Sequence, residues 1–487
     1  MSELRPEYAR VCGPRHQPPV APREVRRACL AAFVILGLYL GLTGAASIAA
    51  RVADFEYFYK AGAWLLAHGN LDAGYDRSAD GHIVLRGTIE WYLPFLARFM
   101  TLITWLPFEA AGLVWLALNV TLFFATVRLL GRNLTGLPPQ DWPVTQLLPV
   151  LLTLLFWTWE YRLNQVNNLT LFLLVAAFVL WRRGRDATAG FVMGLATLIK
   201  LTPGFVVLWF LLKRQYRLVA VAAATFVLAG PASDVVAFGP QYTRDTYLAW
   251  FDTAVRDGSH RGLILNQLEM DWRNQGVGAV LCRWLHPTNY STHFDNDPRI
   301  RFPVVPATMN VANLPLPTVA WIAVGLIAAS VLLLVWLARR PARELSEWRL
   351  RLEWSLFGLA MLWLMPVMRR YHLIWAVPAI SVIGGVMHYV GHRAAWARFT
   401  LACIGFVVLT QIGTGEKVLT GTKFVEGGGA LLLGALALAV PLVLMLRRLD
   451  RDPHAIPPDA LPAAGPQAVR ASPTVAAQPD VTLPAHA

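Results

Sequence analysis

Long apolar runs separated by short polar stretches dominate the chain. The first covers 28–50, and others fall near 107–129, 144–158, 168–182, 187–200, 203–213, 218–238, 316–338, 350–367, 371–390, 396–412 and 427–446. A helix crosses a bilayer upright with about 20 apolar residues. Several of these runs are shorter, which is tolerated where a helix is buried among others or faces a water-filled cavity. The pattern predicts an all-α polytopic membrane protein, a bundle of about 12 transmembrane helices. The run 28–50 is too long for the apolar core of a cleavable signal peptide and follows a basic arm carrying Arg5, Arg10, Arg15, Arg23, Arg26 and Arg27. It reads as an uncleaved first span with its N-terminus in the cytoplasm.

Charge sets the expected orientation. If every run spans, one side receives Arg128 to Pro143, Arg182 to Arg185, Lys213 to Arg217, Arg339 to Arg351, Gly391 to Arg398 and the tail from Arg447. All are basic, so this side is expected to be cytoplasmic. The opposite side receives two long loops, 51–106 and 238–315, and short connections near 159–167, 200–203, 368–371 and 413–427. The expected organisation is a cytoplasmic arm at 1–27, a membrane domain at 28–446 and a disordered cytoplasmic tail at 447–487, rich in Pro and Ala.

Composition agrees with this reading. Of 487 residues, 56% are hydrophobic and 15% charged, against about 25% charged in soluble domains. That excludes ordinary soluble domains and a disordered chain. The excess of 43 Lys and Arg over 30 Asp and Glu, +13, would suggest nucleic acid in a soluble protein. Here it is an insertion signal that also favours anionic lipid headgroups, and no nucleic-acid partner is expected. Four cysteines are too few for a disulfide framework, and no structural disulfide is expected. No internal repeat of the kind found in many transporters is visible.

The unusual polar groups gather on the side opposite the basic connections. An ionisable group near the bilayer centre costs at least ~2.5 kcal/mol, so those that persist usually face a cavity. Asp54 follows the first span in Ala53-Asp54-Phe55-Glu56-Tyr57. It reads either as an N-cap or as a base. Glu56 lies two residues on and shares a pocket with Asp54 only if the segment is extended. Phe55, Phe58, Gly62 and Leu65 have helical spacing, which predicts a surface-lying amphipathic helix over 55–68. Glu160-Tyr161-Arg162-Leu163-Asn164-Gln165-Val166-Asn167-Asn168 links two runs; Arg162 offers a cation, and Asn164, Gln165 and Asn167 either cap short helices or line a site. Lys200 stands where Pro203 and Gly204 must stop a helix, free to snorkel or to hold an anion. Arg369, Arg370 and His372 fall in another connection and read as interfacial charge, packing or site residues. If these converge, a carboxylate base sits beside a cationic cradle, a pocket suited to an anionic substrate arriving at membrane level.

Other chemistry is weakly supported. There is no Walker motif, no Gly-X-Ser-X-Gly and no paired-Cys site. His293-Phe294-Asp295-Asn296-Asp297 lacks the length and terminal Glu of a calcium loop and reads as a solvated turn.

An Asp just after the first span, the Asn164-Gln165-Val166-Asn167-Asn168 stretch and the Ile199-Lys200-Leu201-Thr202-Pro203-Gly204 helix break together resemble glycosyltransferase family eighty-seven. That group has the glycosyltransferase C superfold and includes polyprenyl-phosphate-mannose-dependent α-mannosyltransferases. The likeness extends loosely through Asn266 and Gln267 to His372; where the family often follows Asn-Gln with Ser, this chain has Leu268. The resemblance implies Asp54 as base, a phosphate cradle from Lys200, Arg162, Arg369 and Arg370, and inversion at the anomeric carbon. It further implies a polyprenyl-phosphate-sugar donor, a glycolipid or glycan acceptor, no metal or other cofactor, and a plasma-membrane enzyme working on the extracytoplasmic face. A transporter or flippase of a lipid-linked or anionic solute, and an accessory assembly subunit, are the competing readings. The sugar is expected to be mannose, with arabinofuranose or glucose suiting the same cradle.

Overall fold

A computed structural model of the chain describes residues 20–69, 75–77, 83–85, 92–251, 272–290, 307–390, 393–413 and 423–452. The expectations for Asn266, Gln267, the 293–297 cluster, the arm before residue 20 and the tail beyond 452 fall outside the described residues. The helices are α1 (Arg23–Ala49), α2 (Phe55–His68), α3 (Pro94–Thr104), α4 (Phe108–Asn133), α5 (Trp142–Leu152), α6 (Leu154–Leu163) and α7 (Asn167–Arg182). They continue with α8 (Asp186–Ile199), α9 (Gly204–Leu212), α10 (Tyr216–Val227), α11 (Ser233–Phe238), α12 (Pro240–Phe251) and α13 (Val277–Leu285). After these come α14 (Leu316–Leu337), α15 (Glu347–Leu364), a 3₁₀ stretch Arg370–Ala376, α16 (Val377–Val390), α17 (Arg393–Gln411), α18 (Phe424–Gly427) and α19 (Ala430–Arg451). A small antiparallel ribbon, β1 (Tyr75–Arg77) with β2 (Ile83–Leu85), places Tyr75 opposite Leu85. The apolar pattern gave no hint of it.

Among the described residues, six helical stretches are long and apolar enough to cross a membrane: α1, α4, Tyr216–Phe238, α14, Arg370–Tyr389 and α19. Pro139–Leu152 and α6 make a seventh if they are one span bent by 76°. The bend sits at Thr153, whose hydroxyl donates to Pro149 O at 2.8 Å. Such back-bonding to the previous turn, next to a proline that lacks an N–H, is a recognised cause of helix bending.

The 350–367 run begins earlier than its hydropathy suggests. Arg349 and Arg351, expected in a cytoplasmic connection, lie inside α15 and are buried. For Arg351 the burial is against the Trp348 ring, and for Arg349 it is explained by ion pairs. Arg349 pairs with Glu353 at 2.8 Å and with Asp450 at 2.5 Å, and Glu353 also takes Lys213. Mutual neutralisation lets a charged helix end enter the core, where an unpaired charge would be prohibitive.

Two tight turns set where the polar connections lie. At the end of α1, Val52 N bonds Ser47 O and Arg51 N bonds Ile48 O, with Arg51 at φ 51°. At the end of α6, Gln165 N bonds Glu160 O and Asn164 N bonds Tyr161 O, with Asn164 at φ 50°. Both are Schellman closures with a left-handed residue just past the helix. Asn tolerates that conformation better than other side-chain-bearing residues. Elsewhere α8 meets α10 closely, because Gly190 and Gly194 present bare backbone to Leu218, Ala222 and Thr225. The α2 helix buries Phe55, Phe58, Gly62 and Leu65, and Gly62 sits against Met100 and Thr104 of α3.

Candidate functional site

The turns place polar side chains from four connections together at one end of the bundle. Asp54 occupies the N-cap position of α2, but its carboxylate caps nothing in that helix. It accepts a hydrogen bond from Gln165 Nε2. Gln165 is buried, and its Oε1 accepts from the Tyr92 hydroxyl at 3.1 Å. Burial pushes the Asp54 carboxyl above its usual range, while the Gln165 hydrogen bond and the Arg369 charge pull it back down. Arg369 is itself lowered by burial, against the raising influence of Tyr371 and Asp54. Asp54 is thus a carboxylate with little water, held by one amide and facing one guanidinium.

Beside it lies a second group. Lys200 ends α8 in an extended conformation, φ −147°, ψ 128°, which turns its side chain out of the helix. Its Nζ donates to Asn167 Oδ1 at 2.7 Å, lies 2.6 Å from His372 Nε2 and stands 5.3 Å from the centre of the Trp375 ring. His372 Nδ1 accepts from the Arg369 backbone N–H at 2.9 Å. A neutral imidazole accepting at Nδ1 carries its proton on Nε2. In that tautomer Nε2–H donates to the Lys200 amine nitrogen, and both groups become donors toward a ligand once the amine takes up a proton. An arriving anionic oxygen would separate them, since nothing fits within 2.6 Å, and would then accept from both.

Glu160 closes the arrangement from beneath. Its Oε2 accepts from Asn167 Nδ2 at 2.9 Å and its Oε1 from the Asn168 backbone N–H at 2.9 Å.

Of the residues singled out in the sequence, Asp54, Gln165, Asn167, Lys200, Arg369 and His372 come together here. Glu56 does not join them; on the helical α2 it turns to Lys60 at 2.8 Å, as two-residue spacing requires. Arg162 is exposed and lies over the Trp159 ring, 5.1 Å from its centre. Arg370 is drawn away from its neighbour Arg369 by buried Glu426, which Lys423 also approaches at 3.1 Å. Asn164 is an architectural residue: its Nδ2 donates to Gly44 O at 3.2 Å and its carbonyl accepts from Trp115 Nε1 at 2.9 Å. Tyr92 and Trp375 escaped the sequence reading. Each is one aromatic among many in an apolar chain, with no spacing to mark it. Among the described residues no cluster of His, Cys, Asp or Glu suits a metal ion.

The family model described as Glycosyltransferase family 87 matches residues 91–366, more than half of the chain. The chain belongs to glycosyltransferase family 87. It is also similar to a polyprenol-phosphate-mannose-dependent alpha-(1-2)-phosphatidylinositol mannoside mannosyltransferase of Mycobacterium tuberculosis (strain ATCC 25618 / H37Rv), 25% identical over 338 residues. That alignment covers 66% of this chain and 67% of the relative. No solved structure gives a significant match. The protein is therefore a multi-pass membrane glycosyltransferase of family 87, and its matched segment contains Tyr92, Gln165, Asn167 and Lys200, leaving Asp54, Arg369 and His372 to be joined to them by the fold.

Proposed function

We propose that this glycosyltransferase moves a sugar, mannose in the first instance, from a polyprenyl-phosphate donor to a lipid-linked or glycan acceptor on the extracytoplasmic face, with inversion. The observation that carries the reading is the adjacency of a partly desolvated carboxylate, Asp54, to the Lys200–His372 donor pair. The relative's requirement for polyprenol-phosphate-mannose supports the donor class and the sugar.

In the reaction, the acceptor oxygen forms its bond to the anomeric carbon while the bond from that carbon to the phosphate oxygen breaks. The acceptor proton passes to Asp54, and the electron pair leaves with the phosphate. Positive charge develops on the sugar ring as in glycosidases. Phosphate is a good leaving group, so fixed donors suffice, and in this reading Lys200, His372 Nε2 and Arg369 meet the departing charge. Back-side attack turns a β-linked donor into an α-linked product.

Orientation follows from charge. The α7 helix starts at the site with Asn167 and ends at Arg182, next to Arg183 and Arg185. Basic connections at that far end support a cytoplasmic placement there, with Asp54 outside. The basic arm and the Pro- and Ala-rich tail belong to the cytoplasmic side in this reading, and the membrane is the plasma membrane.

The test is purified protein in detergent, given a panel of polyprenyl-phosphate sugars and membrane glycolipids, with mass spectrometry of the products. Glycolipid one hexose heavier, formed from the mannosyl donor, supports the proposal. No product with any donor overturns it.

A further inference from the structure

Glu160 is a buried carboxylate, 1% exposed, in the last turn of α6. Each of its oxygens accepts one hydrogen bond, from Asn167 and from Asn168, and the group is closed off from solvent. Those bonds do two things. The first concerns α7, whose N-cap residue Val166 has no side chain able to cap it. Glu160 supplies the missing acceptor from the preceding helix and places its charge at the positive end of the α7 dipole.

The second concerns Lys200. An ionised carboxylate only accepts, so it dictates which end of the Asn167 amide it meets. With Nδ2 committed to Glu160, Oδ1 must point the other way, and there it accepts from Lys200 Nζ at 2.7 Å. The amide is further fixed at its backbone, where the Asn167 carbonyl accepts from Trp375 Nε1 at 3.4 Å. Trp375 is also the ring beneath the Lys200 ammonium. One amide thus separates the Glu160 charge from the Lys200 charge. Glu160 balances Lys200 without forming the direct ion pair that would tie up its ammonium. A direct pair would have to be broken to admit an anion; this relay need not be.

We infer that Glu160 is a positioning residue, which acts through Asn167 to hold the Lys200 side chain in place for the donor phosphate. The inference rests on the sugar-transfer reading under Proposed function and adds to it a residue that acts through Asn167. If it acts this way, its effect must vanish when Lys200 is absent.

The experiment is a double-mutant cycle on the full-length protein in detergent, with polyprenyl-phosphate mannose as the varied substrate. Glu160→Gln is expected to raise donor KM about tenfold, the scale of one charge-assisted hydrogen bond, with a smaller change in kcat. In the Lys200→Ala background the same substitution is expected to change donor KM less than about twofold. Equal effects in both backgrounds, or an unchanged KM in Glu160→Gln, overturn the positioning role. Should Glu160→Gln fail to fold, Asn167→Ser cuts the same relay while Asn168 keeps its bond to Glu160, and the same KM pattern is required of it. Wild-type protein run alongside separates the two ideas: without turnover on any donor the functional reading falls as well, whereas turnover with additive effects removes only Glu160.

Discussion

The Tyr92 hydroxyl donates to Gln165 Oε1 at 3.1 Å and so decides which end of that amide reaches Asp54. With its oxygen occupied, Gln165 can offer Asp54 only its NH₂ group. The carboxylate is then held by a donor on one side and keeps lone pairs for an incoming hydroxyl. The two residues are 73 positions apart, on different connections. They form a small device whose output is the ionisation of Asp54.

That device predicts a pH effect with a definite sign. Burial raises the Asp54 carboxyl, and the Gln165 hydrogen bond is the largest influence lowering it. Removing the bond leaves the raising influence less opposed, so the carboxylate takes up its proton at higher pH. A base works only when deprotonated. Gln165→Leu is therefore expected to move the acid limb of kcat/KM to higher pH, and Tyr92→Phe to move it the same way by less. A pH profile of both variants from about pH 4 to about pH 8, spanning the carboxylate range and the rise above it, checks this; an acid limb that stays put contradicts it.

Replacing the base itself gives the largest effect. Asp54→Asn preserves size and can still meet Gln165, and Asp54 caps nothing in α2, so the fold has little reason to change. Transfer is expected to fall about a hundredfold to ten-thousandfold, the range of general base catalysis, with donor binding nearly intact. Turnover on lipid-linked sugar within tenfold of wild type removes Asp54 from the role.

The opposing side of the site should respond in KM. Lys200→Ala deletes the amine that lies 2.6 Å from His372 Nε2. Donor KM is expected to rise about tenfold or more, and inhibition by free polyprenyl phosphate to weaken in parallel, since the lost contact is to phosphate. An unchanged inhibition constant assigns Lys200 to something other than phosphate.

Much of this architecture was legible in the sequence because its determinants are local. The helix over 55–68 announces itself through Phe55, Phe58, Gly62 and Leu65, and those are the residues it buries. The helix stop after Lys200 is written in Pro203 and Gly204. What escaped depends on partners distant in sequence. Arg369 and Arg370 are identical neighbours in the sequence, yet Glu426 claims Arg370 and leaves its neighbour beside Asp54. Arg349 reads as part of a surface charge run, yet Glu353 and Asp450 give it a place inside, and Arg351 lies over the Trp348 ring. Hydropathy counts a charge as solvated and has no knowledge of its partner.

Close helix packing predicts a stability effect far from the site. A Cβ added at Gly190 would stand 2.4 Å from the Leu218 carbonyl oxygen, which is backbone and cannot swing away. Gly190→Ala is expected to destabilise the protein by about 1–3 kcal/mol, as overpacking does. Gly325 has open space at the same construction, so Gly325→Ala serves as the neutral control. Thermal unfolding in detergent compares them, and equal melting temperatures would show that α8 and α10 are not in close contact.

The Asp54-bearing segment has a clasp of its own. Arg98 of α3 donates to Ala229 O at 2.6 Å and Ser233 Oγ at 2.7 Å and pairs with Asp234 at 2.9 Å, while Tyr247 donates to Asp234 at 2.9 Å. Pro231 lies in the helix break there, and Arg98 joins the Ser233 hydroxyl in donating to the Ala229 carbonyl beside it. Because α3 packs on α2, the clasp holds the helix that begins at Asp54. Arg98→Met leaves Asp234 buried without its cation, at a cost of about 3–5 kcal/mol. Removing both charges, in Arg98→Met with Asp234→Leu, is expected to recover most of that loss, since two buried ions replaced by apolar groups can be nearly neutral. Activity should recover less than stability, because the double variant restores packing without the carbonyl bonds that fix α3. Unfolding midpoints and kcat measured on the two variants separate these outcomes, and a double variant no more stable than Arg98→Met would mean the ion pair is not what secures the segment.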